Sequence, residues 1–176
     1  MNYGDNKFII ASLKDINNNP IKNAIISVNL NGVKTLKSDE KGQIKISASK
    51  LVPNQYSISF TFQGNSDYQK SSTSVKVTVK KASLKLTAAK KTFKLKIKTK
   101  KYTIILKDNK NKALNKIKLI LKINKRSYKA ITTKQGKATF KITKLNKKGT
   151  FKSTITFAGN KYYNKLTKTV KITVKR

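Results

Sequence analysis

The chain repeats itself once, with a spacing of about 95 residues, and this internal duplication limits the folds that it can adopt. The segment SISFTFQGNSDYQK at 57–70 aligns with 152–165, and SVKVTVK at 74–80 aligns with TVKITVK at 169–175. A repeat of this length has the size of a whole domain and is too long for one unit of a solenoid. The sequence therefore predicts two related domains in tandem.

Apolar and charged residues alternate within each copy. Phe93, Leu95 and Ile97, for example, alternate with lysines, and short runs of this kind are divided by turn signals such as Asn-Gly and Gln-Gly. This alternation is typical of antiparallel strands with one face on a core. About seven such strands in each copy predict an all-β fold of two tandem immunoglobulin-like antiparallel β-sandwich domains, at 1–81 and 82–176.

The two copies differ at their beginnings. The second is preceded by two additional strand-like pieces, Leu84–Thr87 and Thr92–Lys98, whereas the first begins almost directly at Phe8. We therefore expect the first strand of the first domain to be shortened and the chain to be part of a longer array. The sequence also holds no apolar run of the roughly 18 residues that a membrane span requires, so no span is predicted in this segment.

The composition excludes several kinds of site. Cysteine and histidine are both absent, so no disulfide and no zinc, copper or haem site is predicted, and we expect no cofactor and no bound metal. Nucleophilic catalysis would need a Ser-Lys pair or a carboxylate dyad, and no such site is evident, so the chain is not expected to be an enzyme.

The motifs of the second copy carry a resemblance to a known family. The pattern TTxxGxATFxIxxLxxxGTFxxTITFAGNxYYNxxTKTVKITVK, which ends at position 175, resembles the immunoglobulin-like repeats of adhesin-like surface proteins of methanogenic archaea, and the first copy is a more divergent version. Such repeats belong with the bacterial Ig-like (Big) type. The resemblance implies an extracellular, cell-wall-associated array of neighbouring repeats, and it carries over no catalytic residue.

Positive charge is concentrated in the second copy. The chain has a net charge of +36, and residues 81–176 hold 31 basic side chains and one acidic side chain. These charges have too few acids to pair with, so they repel one another unless they attract anions. A run of lysines at 94, 96, 98 and 100 is predicted to form a ladder on one strand face. The candidate polyanion contacts are Lys94, Lys96, Lys98, Lys100, Lys101, Lys147, Lys148, Lys171, Lys175 and Arg176.

Two interpretations of these lysines remain open. They can bind a polyanion, or they can simply keep strand edges soluble and prevent sheets from associating. Among polyanions, an acidic cell-wall or cell-surface polymer is favoured over nucleic acid, because the chain has two arginines and no predicted helix for reading a groove. Lysine is a point charge that suits diffuse, salt-sensitive attachment.

The six acidic residues have structural interpretations. Asp15 and Asp108 occupy equivalent places before a turn, where a carboxylate accepts backbone hydrogen bonds. Ser38-Asp39-Glu40 could form a calcium loop, but a solvated hairpin tip is favoured because two acids supply few oxygens. The final strands, 73–81 and 168–176, contain neither Asn nor Asp, so no isopeptide crosslink to them is predicted.

A Gly-Asn-x-x-Tyr motif recurs before the final strand of each copy. Its tyrosines, with Tyr162, could form a ligand-stacking box, but recurrence in both copies favours a structural corner with the ring buried and the hydroxyl bonded to backbone. The residues of this structural motif are Gly64, Asn65, Tyr68, Gly159, Asn160 and Tyr163.

These observations together predict a non-catalytic cell-surface adhesin or stalk module whose basic second domain binds an acidic polymer. Two alternatives remain: a protein that binds nucleic acid by neutralising phosphates, and an accessory domain of a cell-wall-active enzyme.

Overall fold

The computed structural model describes residues 1–176 and is built entirely from strands and the turns between them, which confirms the predicted all-β fold. It has no helix of the length and apolar character needed to cross a membrane. The strands, in chain order, are β1 Phe8–Ser12, β2 Ile25–Asn29, β3 Val33–Lys37, β4 Gln43–Ser47, β5 Asn54–Phe62, β6 Ser71–Val79, β7 Leu84–Thr87, β8 Lys91–Lys94, β9 Lys100–Asp108, β10 Lys118–Ile123, β11 Arg126–Ile131, β12 Lys137–Ile142, β13 Gly149–Phe157 and β14 Leu166–Lys175.

The chain divides into two compact units, Met1–Lys81 and Ala82–Arg176, which we call the N-terminal and C-terminal units. In the N-terminal unit β1 pairs with β4, and a second sheet has the strand order β3-β2-β5-β6. In the C-terminal unit one sheet has the order β11-β10-β13-β14-β8 and the other β12-β9-β7. Every strand pair is antiparallel except β8 with β14, which run parallel.

Each unit buries the apolar face of both its sheets, as the alternating sequence predicts. In β5, for example, Tyr56, Ile58, Phe60 and Phe62 are buried while the residues between them are mostly exposed. A fully buried side chain of this kind contributes roughly 1.5–3 kcal/mol to the free energy of unfolding. The core of the C-terminal unit is larger, with 19 buried residues in one cluster, and includes side chains from both sheets.

The two units differ at the edge where each begins. The C-terminal unit has β7 beside β9 and β8 beside β14. In the N-terminal unit the counterpart of β8 is a single bridge, Asn2 to Lys80, in which the Tyr3 N–H donates to the Lys80 carbonyl at 2.8 Å. No strand of the N-terminal unit lies beside the free edge of β1, where β7 lies in the other unit.

Candidate polyanion-binding surface

The predicted lysine ladder does not lie on one strand, so that prediction is wrong. β8 ends at Lys94, a turn follows, and β9 begins at Lys100 in the other sheet. The turn forms because the Leu95 N–H bonds to the Lys175 carbonyl at 2.7 Å and the Ile97 N–H bonds back to Lys94 at 3.2 Å. The alternation of the sequence continues through this turn although the strand does not.

Lys100 is the member of the candidate set that the structure removes from the surface. It is 1 % exposed, and its ammonium group donates to the carbonyls of Ile97 at 2.6 Å and Leu95 at 3.5 Å. The turn shifts the register by one residue, so Lys100 points inward with Tyr102 and Ile104 of the same strand. Lys100 therefore holds the turn together and does not contact a polymer.

Most of the other candidates meet at one end of the C-terminal unit. Lys94 pairs with Lys175 across β8 and β14. Gly149, the first residue of β13, pairs with Val174, so Lys147 and Lys148, which precede β13, lie at the same end of the unit. The turn after β8 starts from this point as well. We call this surface the basic end; its members, all exposed, are Lys94, Lys96, Lys98, Lys147, Lys148, Lys175 and Arg176. Of the remaining candidates, Lys171 lies farther along β14 and Lys101 lies on β9, in the opposite sheet.

The strand register places exposed lysines directly opposite one another. This happens on both outer faces of the C-terminal unit, and each pair joins two neighbouring strands. Side chains directly opposite have their Cβ atoms about 4.5–5.5 Å apart in an antiparallel pair, where like charges are destabilising. Three of the four pairs lie in antiparallel ladders: Lys152 with Lys171, Lys101 with Lys141, and Lys85 with Lys107. The fourth, Lys94 with Lys175, lies in the parallel ladder of β8 and β14.

Half of the lysines in these four pairs were not predicted as candidates. Lys85, Lys107, Lys141 and Lys152 are absent from the candidate set because their importance depends on which residue lies across the sheet. That register follows from hydrogen bonding between distant segments. The signal that could have found them is their outward position in the two-residue alternation, since each lies between apolar residues that the hydrophobic pattern assigns to the core.

The N-terminal unit shows a different electrostatic arrangement. No lysine there lies opposite another lysine in a strand pair, and two of its lysines form ion pairs with acids. Lys22 contacts Glu40 at 2.8 Å, and this hydrogen bond raises the pKa of the lysine. Lys45 lies 3.7 Å from Asp39. In the C-terminal unit the one acid, Asp108, accepts backbone hydrogen bonds.

The turn carboxylates behave as predicted. An oxygen of Asp15 accepts the N–H groups of Asn17 and Asn19, and Asp108 accepts those of Lys110 and Lys112, at 2.8–2.9 Å. The side-chain hydrogen bond from Asn19 is the main cause that lowers the pKa of Asp15.

Ser38-Asp39-Glu40 forms a hairpin turn. Asp39 accepts the N–H groups of Lys41 and Gln43 at 2.9 Å, whereas Ser38 is buried and bonds to the backbone of Ala24 and Ile21. No cluster of three potential metal-ligating His, Cys, Asp or Glu side chains is present.

The Gly-Asn-x-x-Tyr motif forms the same turn in both units. The side-chain oxygen of Asn65 accepts the N–H of Tyr68 at 2.8 Å, and that of Asn160 accepts the N–H of Tyr163 at 2.9 Å. Gly64 and Gly159 begin these turns with φ of +88° and +87°. In the first, an added Cβ would lie 2.9 Å from the Tyr68 carbonyl oxygen.

The predicted corner is wrong for Tyr68, whose side chain is 37 % exposed, while Tyr163 is half-buried against the core. Two other tyrosines bury the ring and bond to backbone: the hydroxyl of Tyr56 donates to the Val52 carbonyl at 2.8 Å, and that of Tyr102 donates to the Ala89 carbonyl at 2.7 Å. Burial raises the pKa of Tyr102. Both tyrosines occupy inward-facing positions in the two-residue alternation of a strand, and this alternation is the sequence signal that could have identified them as the buried tyrosines.

Comparisons with known proteins bear on the fold. No protein-family model matches the chain, and no curated protein matches it. The chain is similar to the solved structure of invasin, a bacterial integrin-binding protein, with a TM-score of 0.54 and 14 % identity, over 96 % of this chain and 36 % of the invasin chain. This likeness and the two-sheet units confirm the predicted immunoglobulin-like β-sandwich fold. The chain spans about a third of the invasin chain.

Two further solved structures resemble the chain at lower TM-scores. The titin domains z1z2, solved in complex with telethonin, give a TM-score of 0.47 at 10 % identity, over 99 % of this chain and 90 % of that chain. The Yersinia pseudotuberculosis adhesin InvE gives 0.36 at 16 % identity, over 97 % and 56 %.

Proposed function

We propose that the chain is a non-catalytic module of a cell-surface adhesin. Its immunoglobulin-like domains, at 1–81 and 82–176, act as a stalk beside further repeats of the same kind, and the second domain binds acidic cell-wall or cell-surface polymers. The module works outside the cell, in association with the wall. The resemblance to adhesin-like proteins of methanogenic archaea and the likeness to the invasin fold support the stalk part of this proposal.

The like-charge pairs across the strands carry the ligand part of the proposal. Each pair, such as Lys152 with Lys171, costs stability in the free protein, because the charges face each other without an acid between them. If solubility were the only role of these lysines, staggered positions would serve equally well at lower cost. A polymer with closely spaced negative charges neutralises both members of a pair at once.

The nature of the cations favours an acidic polysaccharide over duplex DNA as the polymer. Specific reading of bases depends largely on arginine forks or on Asn and Gln carried by a groove-binding element. The C-terminal unit has two arginines, Arg126 and Arg176, and presents its charges on flat strand faces and turns. Lysine ammonium groups suit a flexible chain of carboxylates, which needs no fixed geometry.

The proposal can be tested by measuring the affinity of the full chain for polygalacturonate, duplex DNA and neutral dextran over a series of salt concentrations. We expect binding to polygalacturonate that weakens steeply with salt, because counterions are released, and no binding to dextran. Tighter binding to duplex DNA at equal salt would favour the nucleic-acid alternative. Equal affinity for dextran would contradict an electrostatic ligand site.

A matched pair of variants locates the site. Replacing Lys94, Lys152, Lys171 and Lys175 by Gln removes four charges from the proposed surface, and the affinity for polygalacturonate should fall at least about tenfold with a shallower salt dependence. The control variant removes the same charge from the N-terminal unit, at exposed positions. Its affinity should change by less than about threefold. The control lysines are Lys34, Lys37, Lys70 and Lys76.

A further inference from the structure

The outer face of the five-stranded sheet in the C-terminal unit has a concavity of about 560 Å³. Its floor is a row across three neighbouring strands, in which Ile120 pairs with Thr156 and Thr156 pairs with Thr167. The turn around Gly159 forms one wall. A volume of this size lies within the roughly 300–1,000 Å³ of small-molecule sites. We call this feature the outer concavity.

Three lysines and no acidic residue line the outer concavity. Lys118 is the first residue of β10, Lys116 lies just before that strand, and Lys165 lies just before β14. All three are exposed, and none belongs to the like-charge pairs across the strands. An anion that enters the outer concavity therefore meets three positive charges and no competing carboxylate.

Lys116 has a backbone conformation that suits asparagine better than lysine. Its φ is +58°, in the left-handed region, and the residue at the same place in the first copy is Asn23, which also has φ of +58°. Asparagine adopts this conformation more readily, because its short polar side chain bonds locally. A lysine at this backbone position is unfavourable for the fold, and such outliers accompany functional sites.

The first copy has the same strands without this lining. Ile25 takes the place of Lys118, and Ser27 takes the place of Ile120 in the row across the sheet. The immunoglobulin-like fold therefore requires neither lysine at the rim nor isoleucine in the floor. Both are properties of the C-terminal unit alone.

The lining combines positive charge with an apolar floor and polar groups. Ile120 is half-buried, and Thr156 and Thr167 add hydroxyl groups beside it. The side-chain oxygen of Asn160 accepts two N–H groups of its own turn at 2.9 Å, so its NH₂ group is what this side chain can donate to a ligand. A bare anion such as sulfate needs only the lysines. A carboxylated sugar has one charge, an apolar ring face and hydroxyl groups, and it uses all three kinds of group.

We propose that the outer concavity binds one carboxylated sugar residue of an acidic polysaccharide. The carboxylate lies among the ammonium groups of Lys116, Lys118 and Lys165. The apolar face of the sugar ring packs on Ile120, and the ring hydroxyls bond to the two threonines of the floor. This inference rests on the proposed function, since the sugar residue belongs to the same polymer, and it adds one point of fixed geometry to a surface that otherwise binds diffusely.

The test is a titration of the full chain, labelled with ¹⁵N, with trigalacturonate, neutral galactotriose and sodium sulfate at a constant ionic strength of about 0.15 M. We expect saturable shifts with trigalacturonate at the amides of Thr156, Gly159, Asn160 and Thr167, and binding of galactotriose at least about tenfold weaker. Equal binding of galactotriose would overturn the proposal, because the lysines would then contribute nothing. Equal binding of sulfate at the same amides would also overturn it, because the site would then hold any anion.

The same titration separates this inference from the proposed function. If polygalacturonate binds the chain but trigalacturonate shifts no amide of the outer concavity, the carboxylated-sugar site is wrong and the diffuse lysine surface stands. If polygalacturonate does not bind while trigalacturonate shifts these amides, the site stands and the polymer surface is wrong.

A matched pair of double variants tests the lysines. Lys116→Asn with Lys118→Ile introduces the residues of the first copy at the same positions, so the fold should persist and the affinity for trigalacturonate should fall at least about tenfold. The control, Lys125→Asn with Lys137→Ile, removes the same charge and a second unfavourable φ, that of Lys125 at +60°, outside the outer concavity. Its affinity should change by less than about threefold. Equal losses in both variants would overturn the proposal in favour of net charge.

A third variant separates the sugar ring from the charge. Ile120→Ser introduces the floor residue of the first copy, Ser27, and keeps every lysine. The affinity for trigalacturonate should fall about fivefold, because the ring loses its apolar contact, while the shifts caused by sulfate stay the same. An unchanged affinity for trigalacturonate would overturn the proposal, since the site would then recognise the carboxylate without the sugar.

Discussion

At the scale of single residues, Gly42 is fixed by the backbone that passes beside it. Gly42 has φ of +66°, and a Cβ added there would overlap the carbonyl oxygen of Leu13. We expect Gly42→Ala to lower the free energy of unfolding by about 2 kcal/mol or more, since it adds a backbone clash to an unfavourable φ. Gly4 has a similar φ of +78° with no atom within 4 Å of an added Cβ, so Gly4→Ala should cost about 1 kcal/mol. Urea unfolding of both variants measures the difference, and equal losses would show that the close approach has no effect.

Asp39 links the stability of the N-terminal unit to pH. The backbone hydrogen bond from Gln43 is the main cause that lowers its pKa below the ordinary value of 3.8, with smaller effects from the Lys41 N–H and the charge of Lys45. A lowered pKa in the folded state stabilises the protein above the ordinary pKa, and this contribution is lost as the pH falls through the folded value. Asp39→Asn keeps an oxygen for the turn and removes the titration. Its melting temperature should therefore fall less than that of the wild type between pH 5 and about pH 2.5. Overlapping pH curves would contradict this assignment.

Lys100 shows where inference from sequence fails for a single residue. The alternation around it is the same as around Lys98, and only the turn after β8 decides that Lys100 points inward. That turn depends on a hydrogen bond from Leu95 to Lys175, a residue far away in the sequence. Local periodicity has no information on such a contact, so it could predict the strands on either side and not the register between them.

At the scale of the strands, the pair formed by Lys152 and Lys171 should be destabilising in the free protein. We expect Lys171→Glu to raise the free energy of unfolding of the C-terminal unit by about 0.5–1 kcal/mol at low salt, since it replaces repulsion by attraction. The gain should shrink at 1 M salt, where the screening length is about 3 Å. Lys76→Glu is the control, because Lys76 lies opposite Ser57 and the change should have little effect. If both variants raise the free energy of unfolding equally, the effect comes from the change in net charge and not from the Lys152–Lys171 pair.

The strands themselves were largely predictable, and their partners were not. Two-residue alternation and Gly-Asn turns predict β5 in the first copy and β13 and β14 in the second, because each of these strands has one face on the core. β6 is predicted by the same alternation, although only its last two valines, Val77 and Val79, reach the core. The candidate surface was predicted only in outline. Its basic end required knowing that β8 runs parallel to β14, and the pairs required the register of strands that are distant in sequence. Hydrogen bonding across a sheet fixes both the direction of β8 and the register of these strands. Composition does not determine that hydrogen bonding.

At the scale of the whole molecule, the two units share a fold and differ in charge. Residues 1–80 hold 11 basic and 5 acidic side chains, whereas residues 81–176 hold 31 and one. Repulsion among so many like charges opposes compaction, so the charged surface lowers the free energy of unfolding of the C-terminal unit. Its larger core, with 19 buried residues in one cluster against 11 in the main cluster of the N-terminal unit, offsets part of this cost.

This asymmetry predicts that multivalent anions stabilise the two units unequally. Sulfate at 50 mM, compared with chloride at equal ionic strength, should slow hydrogen exchange in the C-terminal unit more than in the N-terminal unit, because anions bind where like charges face each other. The melting temperature of the C-terminal unit should rise accordingly. The comparison at equal ionic strength separates anion binding from general screening, which acts in both salts. Equal protection of both units would mean that sulfate acts through exclusion from the surface, and no protection would mean that the lysine pairs are not anion sites.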